Sequence, residues 1–152
     1  MNDAVNDAAN DAMNNQASND TPACQRGLIL FAHGARDPRW ALPFEAIAQR
    51  VRARDGQVQV ALAYLELMKP SLGEAADALV AAGCGQVDVV PLFLGAGGHV
   101  RKDLPVLFEA IAAAHPAVRW QLHRAVGEME SVVDAMAQAA VELTLHPPRP
   151  AS

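Results

Sequence analysis

The chain has 152 residues, of which 51% are hydrophobic and 5% aromatic, and its formal net charge is −5 at pH 7. This length suits one compact domain with a core built mainly from Ala, Val and Leu. The acidic net charge argues against binding to duplex nucleic acid. The sequence contains no run of about 18 apolar residues, so we expect no membrane span.

The two ends of the sequence differ in composition from its middle. The first 25 residues repeat Asn-Asp-Ala and contain four Asp residues but no Lys or Arg. They predict a disordered tail, because they offer little apolar surface to offset the entropy of ordering. The proline-rich end "HPPRPAS" predicts a second disordered tail over residues 146–152. We therefore expect a single domain over residues 26–145, located in the cytoplasm with Cys24 and Cys84 reduced.

Between these ends, strand-like and helix-like segments alternate four times. The predicted strands are "GLILFAH", "QVQVALAYLEL", "QVDVVPLFL" and "AVRWQLHRAV". The first predicted helix is capped by Asp37 and starts at Pro38, although Pro43 fits better if the helix starts near Leu42. The other predicted helices are "PSLGEAADALVAAG", "KDLPVLFEAIAAAH" and "GEMESVVDAMAQAAVEL". This alternation predicts an α/β domain with a four-stranded parallel sheet and helices on both faces.

Three polar groups fall at the predicted carboxyl ends of three strands. His33 ends the first strand, Glu66 lies near the end of the second, and the loop after the third strand ends at His99. The carboxyl ends of parallel strands meet at one edge of the sheet, where such folds bind ligands. Two imidazoles and a carboxylate at that edge suit a divalent transition metal, and imidazole also accepts protons near neutral pH.

The same edge is expected to attract an anionic ligand. Five basic residues follow the three strand ends within a few positions: Arg36, Arg39, Lys69, Arg101 and Lys102. Such a cluster suggests a ligand rich in carboxylates or phosphates. The loop glycines Gly95, Gly97 and Gly98 would let the backbone approach a large flat or anionic ligand.

The remaining histidines and the familiar catalytic motifs contribute less. His115 is typical of a helix terminus, His146 falls in the predicted tail, and His123 near the end of the fourth strand is ambiguous. The sequence has no G-x-S-x-G, so a hydrolase of that type is not indicated. The stretch "GAGGHV" is neither G-x-G-x-x-G nor a P-loop, so it gives little support to dinucleotide or ATP binding.

Three stretches of the chain resemble a known family. "LILFAHGARDPRW", "YLELMKPSL" and "VVPLFLGAGGHVRKDLP" are similar to the short CbiX/SirB-type class II sirohydrochlorin chelatases. The resemblance spans about residues 27–143 and implies a chelatase-like, flavodoxin-like half-domain. It implies ATP-independent insertion of a divalent metal into sirohydrochlorin, with no tightly bound cofactor. Because long relatives contain two copies of the domain, it also implies a homodimer.

The resemblance further implies roles for individual residues. The metal-site histidines of the family correspond to His33 and His99, and Glu66 matches an acidic position near the site. The macrocycle-contacting segment of the family corresponds to residues 94–98, which are Leu94, Gly95, Ala96, Gly97 and Gly98. Arg36 and Arg101 are expected to meet the substrate carboxylates.

Two other functions and the choice of metal stay open at the level of sequence. A metal or tetrapyrrole carrier could use the same site without turnover, and a phosphate-directed enzyme could use the glycine loop as an anion-binding nest. Co²⁺ is the first choice of metal, with Fe²⁺ and Ni²⁺ as alternatives, because all three accept imidazole ligands.

Overall fold

The computed structural model describes residues 26–95 and 97–146. Its strands are β1 (Arg26–Ala32), β2 (Val58–Tyr64), β3 (Gln86–Pro91) and β4 (Arg119–Leu122). Its α-helices are α1 (Leu42–Arg54), α2 (Leu72–Ala81), α3 (Gly98–Ala114) and α4 (Glu130–Leu145), and 3-10 turns cover Pro38–Ala41 and Val126–Glu128. The predicted alternation of strand and helix is confirmed, whereas the predicted tails lie outside the described residues except for His146.

The four strands form one parallel sheet in the order β2-β1-β3-β4. Ile29 of β1 pairs with Ala61 of β2 on one side and with Val89 of β3 on the other. β1 and β3 are therefore interior strands, which explains their nearly continuous apolar sequences. Because all four strands run the same way, their carboxyl ends share one edge of the sheet, as predicted.

Helices cover both faces of the sheet, which confirms the predicted architecture. On one face, α2 and α3 pack against the larger core cluster, whose fully buried members include Ile29, Phe31, Leu72, Val87 and Val89. On the other face, Ala48 of α1 packs with Leu30 and Val60 in a smaller cluster. The core is therefore aliphatic and alanine-rich, as the composition suggests.

Local sequence signals set the starts of the first two helices. The Asp37 carboxylate accepts a hydrogen bond from the Arg39 amide at 2.9 Å and caps the Pro38–Ala41 turn. The helix α1 then starts at Leu42, with Pro43 in its first turn. α2 starts after Pro70, since Ser71 and Glu74 form a reciprocal capping box.

Two further findings concern Cys84 and the lengths of the helices. Cys84 is 2% exposed and disulfide-bonded, so the expectation of a reduced thiol is not met there, and Cys24 lies outside the described residues. Within the described part of the chain, none of the helices is both long enough and apolar enough to cross a membrane.

Candidate functional site

The candidate residues His33, Glu66 and His99 belong to the loops and helix start that follow β1, β2 and β3. His33 comes directly after Ala32 of β1, and Glu66 lies two residues beyond Tyr64 of β2. His99 lies in the first turn of α3 rather than at the end of a loop. The predicted start of this helix was wrong by four residues: Gly97 takes an extended conformation and α3 begins at Gly98, with Pro105 inside the helix.

The imidazole of His33 is held against an aromatic side chain. Its ring centroid lies 4.3 Å from that of Phe93, with 36° between the ring planes. Phe93 is itself 2% exposed and meets Phe31 edge to face at 5.7 Å. The stack of rings fixes His33 from the core side and leaves the imidazole partly exposed. Phe93 was not predicted as a site residue, although it directly precedes the segment 94–98 in the sequence.

The loop after β1 is tied to the loop after β2 through the backbone. The Glu66 amide donates to the His33 carbonyl at 3.0 Å, and the Leu65 amide donates to the Ala32 carbonyl at 2.9 Å. Gly34 has φ +91°, and a Cβ at this position would collide with the Glu66 carbonyl oxygen. A glycine after His33 is therefore required for the two loops to approach each other this closely.

The histidines of the domain fall into two groups by their hydrogen bonds. His115 Nε2 lies 2.8 Å from Asp77 Oδ1, and His123 Nε2 lies 2.7 Å from Asp88 Oδ1. Across residues 26–95 and 97–146, the side chains of His33 and His99 have no hydrogen-bond partner. These two imidazoles are therefore available to a ligand, whereas His115 and His123 are bound to carboxylates. The assignment of His115 to a helix terminus is confirmed, because it is the C-cap of α3.

The site is open rather than a closed metal cage. No group of three or more His, Cys, Asp or Glu side chains in the described ranges could hold a metal ion together. The structure thus does not bring Glu66 and the two histidines together as a three-ligand set. The Glu66 side chain is exposed and makes no hydrogen bond within the described part of the chain. An open site keeps coordination positions for other ligands.

Two exposed leucines border this edge. Leu94, predicted from the resemblance, is 64% exposed, and Leu67, which the sequence analysis missed, is 61% exposed with φ 62°. The backbone of Leu94 packs closely against Gly127, where a Cβ would collide with it. The Gly127 amide also donates a hydrogen bond to the carbonyl of the preceding residue, Phe93, at 2.9 Å. Exposed apolar side chains beside free imidazoles suit a flat, partly apolar ligand.

The glycine segment after Leu94 borders open space. A Cβ added to Gly95, Gly97 or Gly98 would meet no atom within 4 Å, so crowding inside the protein does not explain these glycines. Ala96, the third residue of the predicted macrocycle segment 94–98, lies outside the described residues. Close approach of a ligand to this backbone stays a prediction.

Two of the predicted cations form ion pairs with nearby carboxylates. Arg39 is bound to Asp37 at 2.7 Å, and Lys69 is bound to Glu74 at 2.8 Å. The hydrogen bonds from Lys69 and from the Ser71 amide lower the pKa of Glu74 to about 2. These two cations therefore stabilise helix starts.

The two arginines predicted to meet the substrate also differ. Arg101 lies 3.5 Å from Glu128, and its side chain is 66% exposed. An exposed pair of this kind contributes little and opens readily when an anionic ligand competes. Arg36 is exposed and has no partner among the residues that the structure describes. Arg101 also lines a cavity of about 130 Å³ together with Phe93 and Arg124. Arg124 was missed by the sequence analysis, and it extends the positive charge from α3 to the end of β4.

The domain is an α/β protein with a parallel sheet, and the imidazoles of His33 and His99, which follow β1 and β3, have no hydrogen-bond partner among the described residues. The sequence profile of the CbiX family matches residues 27–143. The chain therefore belongs to the CbiX family, which confirms the resemblance seen in the three sequence stretches.

The curated relatives are chelatases. The chain is 35% identical over 81 residues to a sirohydrochlorin cobaltochelatase of Saccharolobus solfataricus, covering 53% of this chain and 62% of that protein. It is 26% identical over 112 residues to the sirohydrochlorin ferrochelatase of Bacillus subtilis, covering 74% of this chain and 43% of that protein. The chain thus spans less than two thirds of the length of these relatives.

Solved structures show the same fold. A putative cobalamin biosynthesis CbiX protein from Marinobacter aquaeolei superposes with a TM-score of 0.68 at 35% identity, covering 77% of this chain and 95% of that chain. The sirohydrochlorin chelatase SirB from Bacillus subtilis subspecies spizizenii, solved in complex with cobalt, gives a TM-score of 0.68 at 24% identity. The match to SirB covers 78% of this chain and 51% of SirB and supports the fold alone.

Proposed function

We propose that this protein inserts a divalent metal ion into sirohydrochlorin without ATP, in the cytoplasm, as a homodimeric chelatase. The observation that carries the proposal is the pair of unpartnered imidazoles, His33 and His99, at the carboxyl edge of a CbiX-family sheet. The names of the relatives, cobaltochelatase and ferrochelatase, supply the substrate and the reaction.

The substrate explains the mixed chemistry of the edge. Sirohydrochlorin is a flat macrocycle that carries eight carboxylates, so it needs both apolar contact and positive charge. Exposed Leu67 and Leu94 would contact the ring, while Arg36 and Arg101 would meet its carboxylates. The uncapped N-terminus of α3 adds amide donors that favour an anionic group.

Metal insertion requires removal of water from the ion and of two protons from the pyrrole nitrogens. In the proposed reaction His33 and His99 hold the metal beside the ring, replacing part of its hydration. As the metal–nitrogen bonds form, two N–H bonds break and the metal leaves the imidazoles. His33 then accepts one proton, and the exposed Glu66 carboxylate accepts the other and passes it to solvent. The four ring nitrogens complete the coordination that the open site leaves vacant.

Co²⁺ is the proposed metal, with Fe²⁺ and Ni²⁺ as alternatives. Imidazole ligands accept all three ions, and the affinity order of the metals does not select among them. The relatives are named for both cobalt and iron. A ranking of rates with the three metals is therefore part of the test.

The test is anaerobic absorbance spectroscopy of the purified protein with sirohydrochlorin and each metal, against reactions without protein. Multiple turnovers are expected with wild type, and loss of turnover is expected in His33→Ala and His99→Ala. His115→Gln is the matched control, since it changes a histidine that is bound to Asp77 away from the site. A spectral change that stops at one equivalent of protein would instead identify a carrier. Full activity of folded His99→Ala would overturn the metal-ligand assignment.

A further inference from the structure

A cavity of about 130 Å³ lies at the carboxyl ends of β3 and β4, under the first turns of α3. One of its walls contains Val100, Arg101 and Leu104 of α3. The facing wall contains residues that follow β4, among them Arg124 and Glu128. We call this space the arginine cleft.

The arginine cleft is separated from the proposed metal site by one side chain. Phe93 lines the cleft, and the centroid of its ring lies 4.3 Å from that of His33. The wall that carries Glu128 is fixed to the loop after β3, since the Gly127 amide donates to the Phe93 carbonyl at 2.9 Å. A flat ligand seated over the His33 imidazole therefore needs only a short side chain to reach the cleft.

The size of the cleft suits a side chain rather than a whole ligand. A water molecule needs about 10–15 Å³ of cavity space, whereas pockets that enclose an entire small-molecule ligand measure roughly 300–1,000 Å³. A volume of about 130 Å³ accommodates a group of several heavy atoms, such as a carboxymethyl or carboxyethyl arm. The apolar lining, which includes Val100, Leu104 and Leu122, would contact the methylene groups of such an arm.

The polar lining of the cleft carries more positive than negative charge. Two arginines, Arg101 and Arg124, share it with one carboxylate, that of Glu128. His123 also lines the cleft, but its Nε2 lies 2.7 Å from Asp88 Oδ1. Arg124 is exposed and has no partner for its side chain among the residues that the structure describes. Because guanidinium groups bind carboxylates through paired N–H donors, the cleft suits one further carboxylate.

Glu128 stands beside Arg101, where an incoming carboxylate would bind. Glu128 Oε1 lies 3.5 Å from Arg101 Nη2, which is longer than the ~2.7–2.9 Å of a well-formed charged hydrogen bond. The side chains of Arg101 and Glu128 are 66% and 44% exposed, and an exposed ion pair of this kind contributes little. A better-aligned carboxylate would displace Glu128 and leave it in contact with water.

We propose that the arginine cleft receives one peripheral carboxylate arm of sirohydrochlorin, bound by Arg124 and by Arg101 after Glu128 is displaced. The inference deepens the proposed function and rests on it, because the macrocycle substrate is itself proposed. One arm held in the cleft sets which edge of the ring lies toward β4. The cleft thereby selects among macrocycles, since a ring without a carboxylate arm at that position gains nothing from the two arginines.

The first test is the binding of metal-free sirohydrochlorin to the full chain, followed by the absorbance of the macrocycle. Arg124→Gln is expected to raise the dissociation constant at least about 10-fold, because a charge-assisted hydrogen bond is lost. Arg119→Gln is the matched control, since Arg119 is an exposed arginine at the opposite end of β4. The control is expected to change the dissociation constant less than about 3-fold.

Equal dissociation constants in these two variants would overturn the proposal. A cleft that took only a free carboxylate from solution would give this result, because ring binding would then not depend on Arg124. Circular dichroism of each variant checks that the fold is retained.

The second test uses a change that should strengthen binding. Glu128→Gln removes the carboxylate that competes for Arg101, so the dissociation constant is expected to fall about 2- to 5-fold. A purely structural role of the Arg101–Glu128 pair predicts no such gain. Unchanged or weaker binding by folded Glu128→Gln would overturn the displacement of Glu128.

The outcome for wild type separates this proposal from the chelatase proposal. If wild type neither binds sirohydrochlorin nor inserts metal, the proposed function itself fails. If wild type does both while Arg124→Gln behaves like Arg119→Gln, only the arginine cleft fails.

Discussion

Replacement of Gly34 by Ala tests whether the junction between the loops after β1 and β2 depends on a residue without a side chain. Gly34 has φ +91°, and its added Cβ would collide with the carbonyl oxygen of Glu66. This neighbour is backbone, so it has no alternative rotamer to adopt. We expect Gly34→Ala to destabilise the fold and to displace the adjacent His33.

The magnitude follows from the structure. A left-handed conformation costs a residue with a Cβ about 1–2 kcal/mol. Movement of Glu66 away from the new methyl group also disturbs the hydrogen bond from its amide to the His33 carbonyl, which contributes about 0.5–1.5 kcal/mol. The expected loss in the free energy of unfolding is therefore about 1.5–3.5 kcal/mol.

Urea unfolding followed by circular dichroism measures this loss, and metallation kinetics measure the displacement of His33. Gly73→Ala is the matched control, because Gly73 lies in α2 and a Cβ there would meet no atom within 4 Å. In a helix, Gly→Ala is expected to raise the free energy of unfolding by about 0.5–1 kcal/mol. If Gly34→Ala were as stable and as active as wild type, the structural account of the junction would be wrong.

Two further predictions concern the support of His33 and the response to acid. Phe93→Leu and Phe31→Leu are both expected to reduce the free energy of unfolding by about 1 kcal/mol. Only Phe93→Leu should also slow metallation, because the ring centroid of Phe93 lies 4.3 Å from that of His33. Equal metallation rates in the two variants would contradict a role of Phe93 in positioning His33. The pKa of Glu74 is lowered to about 2, mainly by Lys69, so its stabilising contribution is present above the ordinary carboxyl pKa of about 4.3 and is lost as pH falls toward 2. Carbon-detected NMR titration should give a midpoint near 2 for the Glu74 carboxyl group. Glu74→Gln should weaken the pH dependence of the free energy of unfolding between about pH 2 and pH 4.3. A midpoint near 4.3 would show that the hydrogen bonds of Glu74 with Lys69 and the Ser71 amide do not form in solution.

Much of the domain was predictable because its signals are local. The alternation of strands and helices follows from short apolar runs and from helix-start signals such as Asp37 before Pro38. Such a cap acts on residues within one turn of the chain. Parallel pairing then places the residues after each strand at one edge, so His33 could be assigned to that edge from the sequence. The CbiX motifs were equally visible, because each occupies a contiguous stretch.

The tertiary structure decided what depends on residues far apart in the chain. Which histidines stay free is settled by carboxylates 35 and 38 residues away, at Asp88 and Asp77, and no local pattern reveals those pairs. The stack of His33 on Phe93 likewise joins the ends of two strands. The exposure of α4 is a tertiary property too: its apolar residues at helical spacing are typical of a core-facing helix, yet none of them is buried. Periodicity determines which side of a helix is apolar, whereas the tertiary structure determines what that side meets.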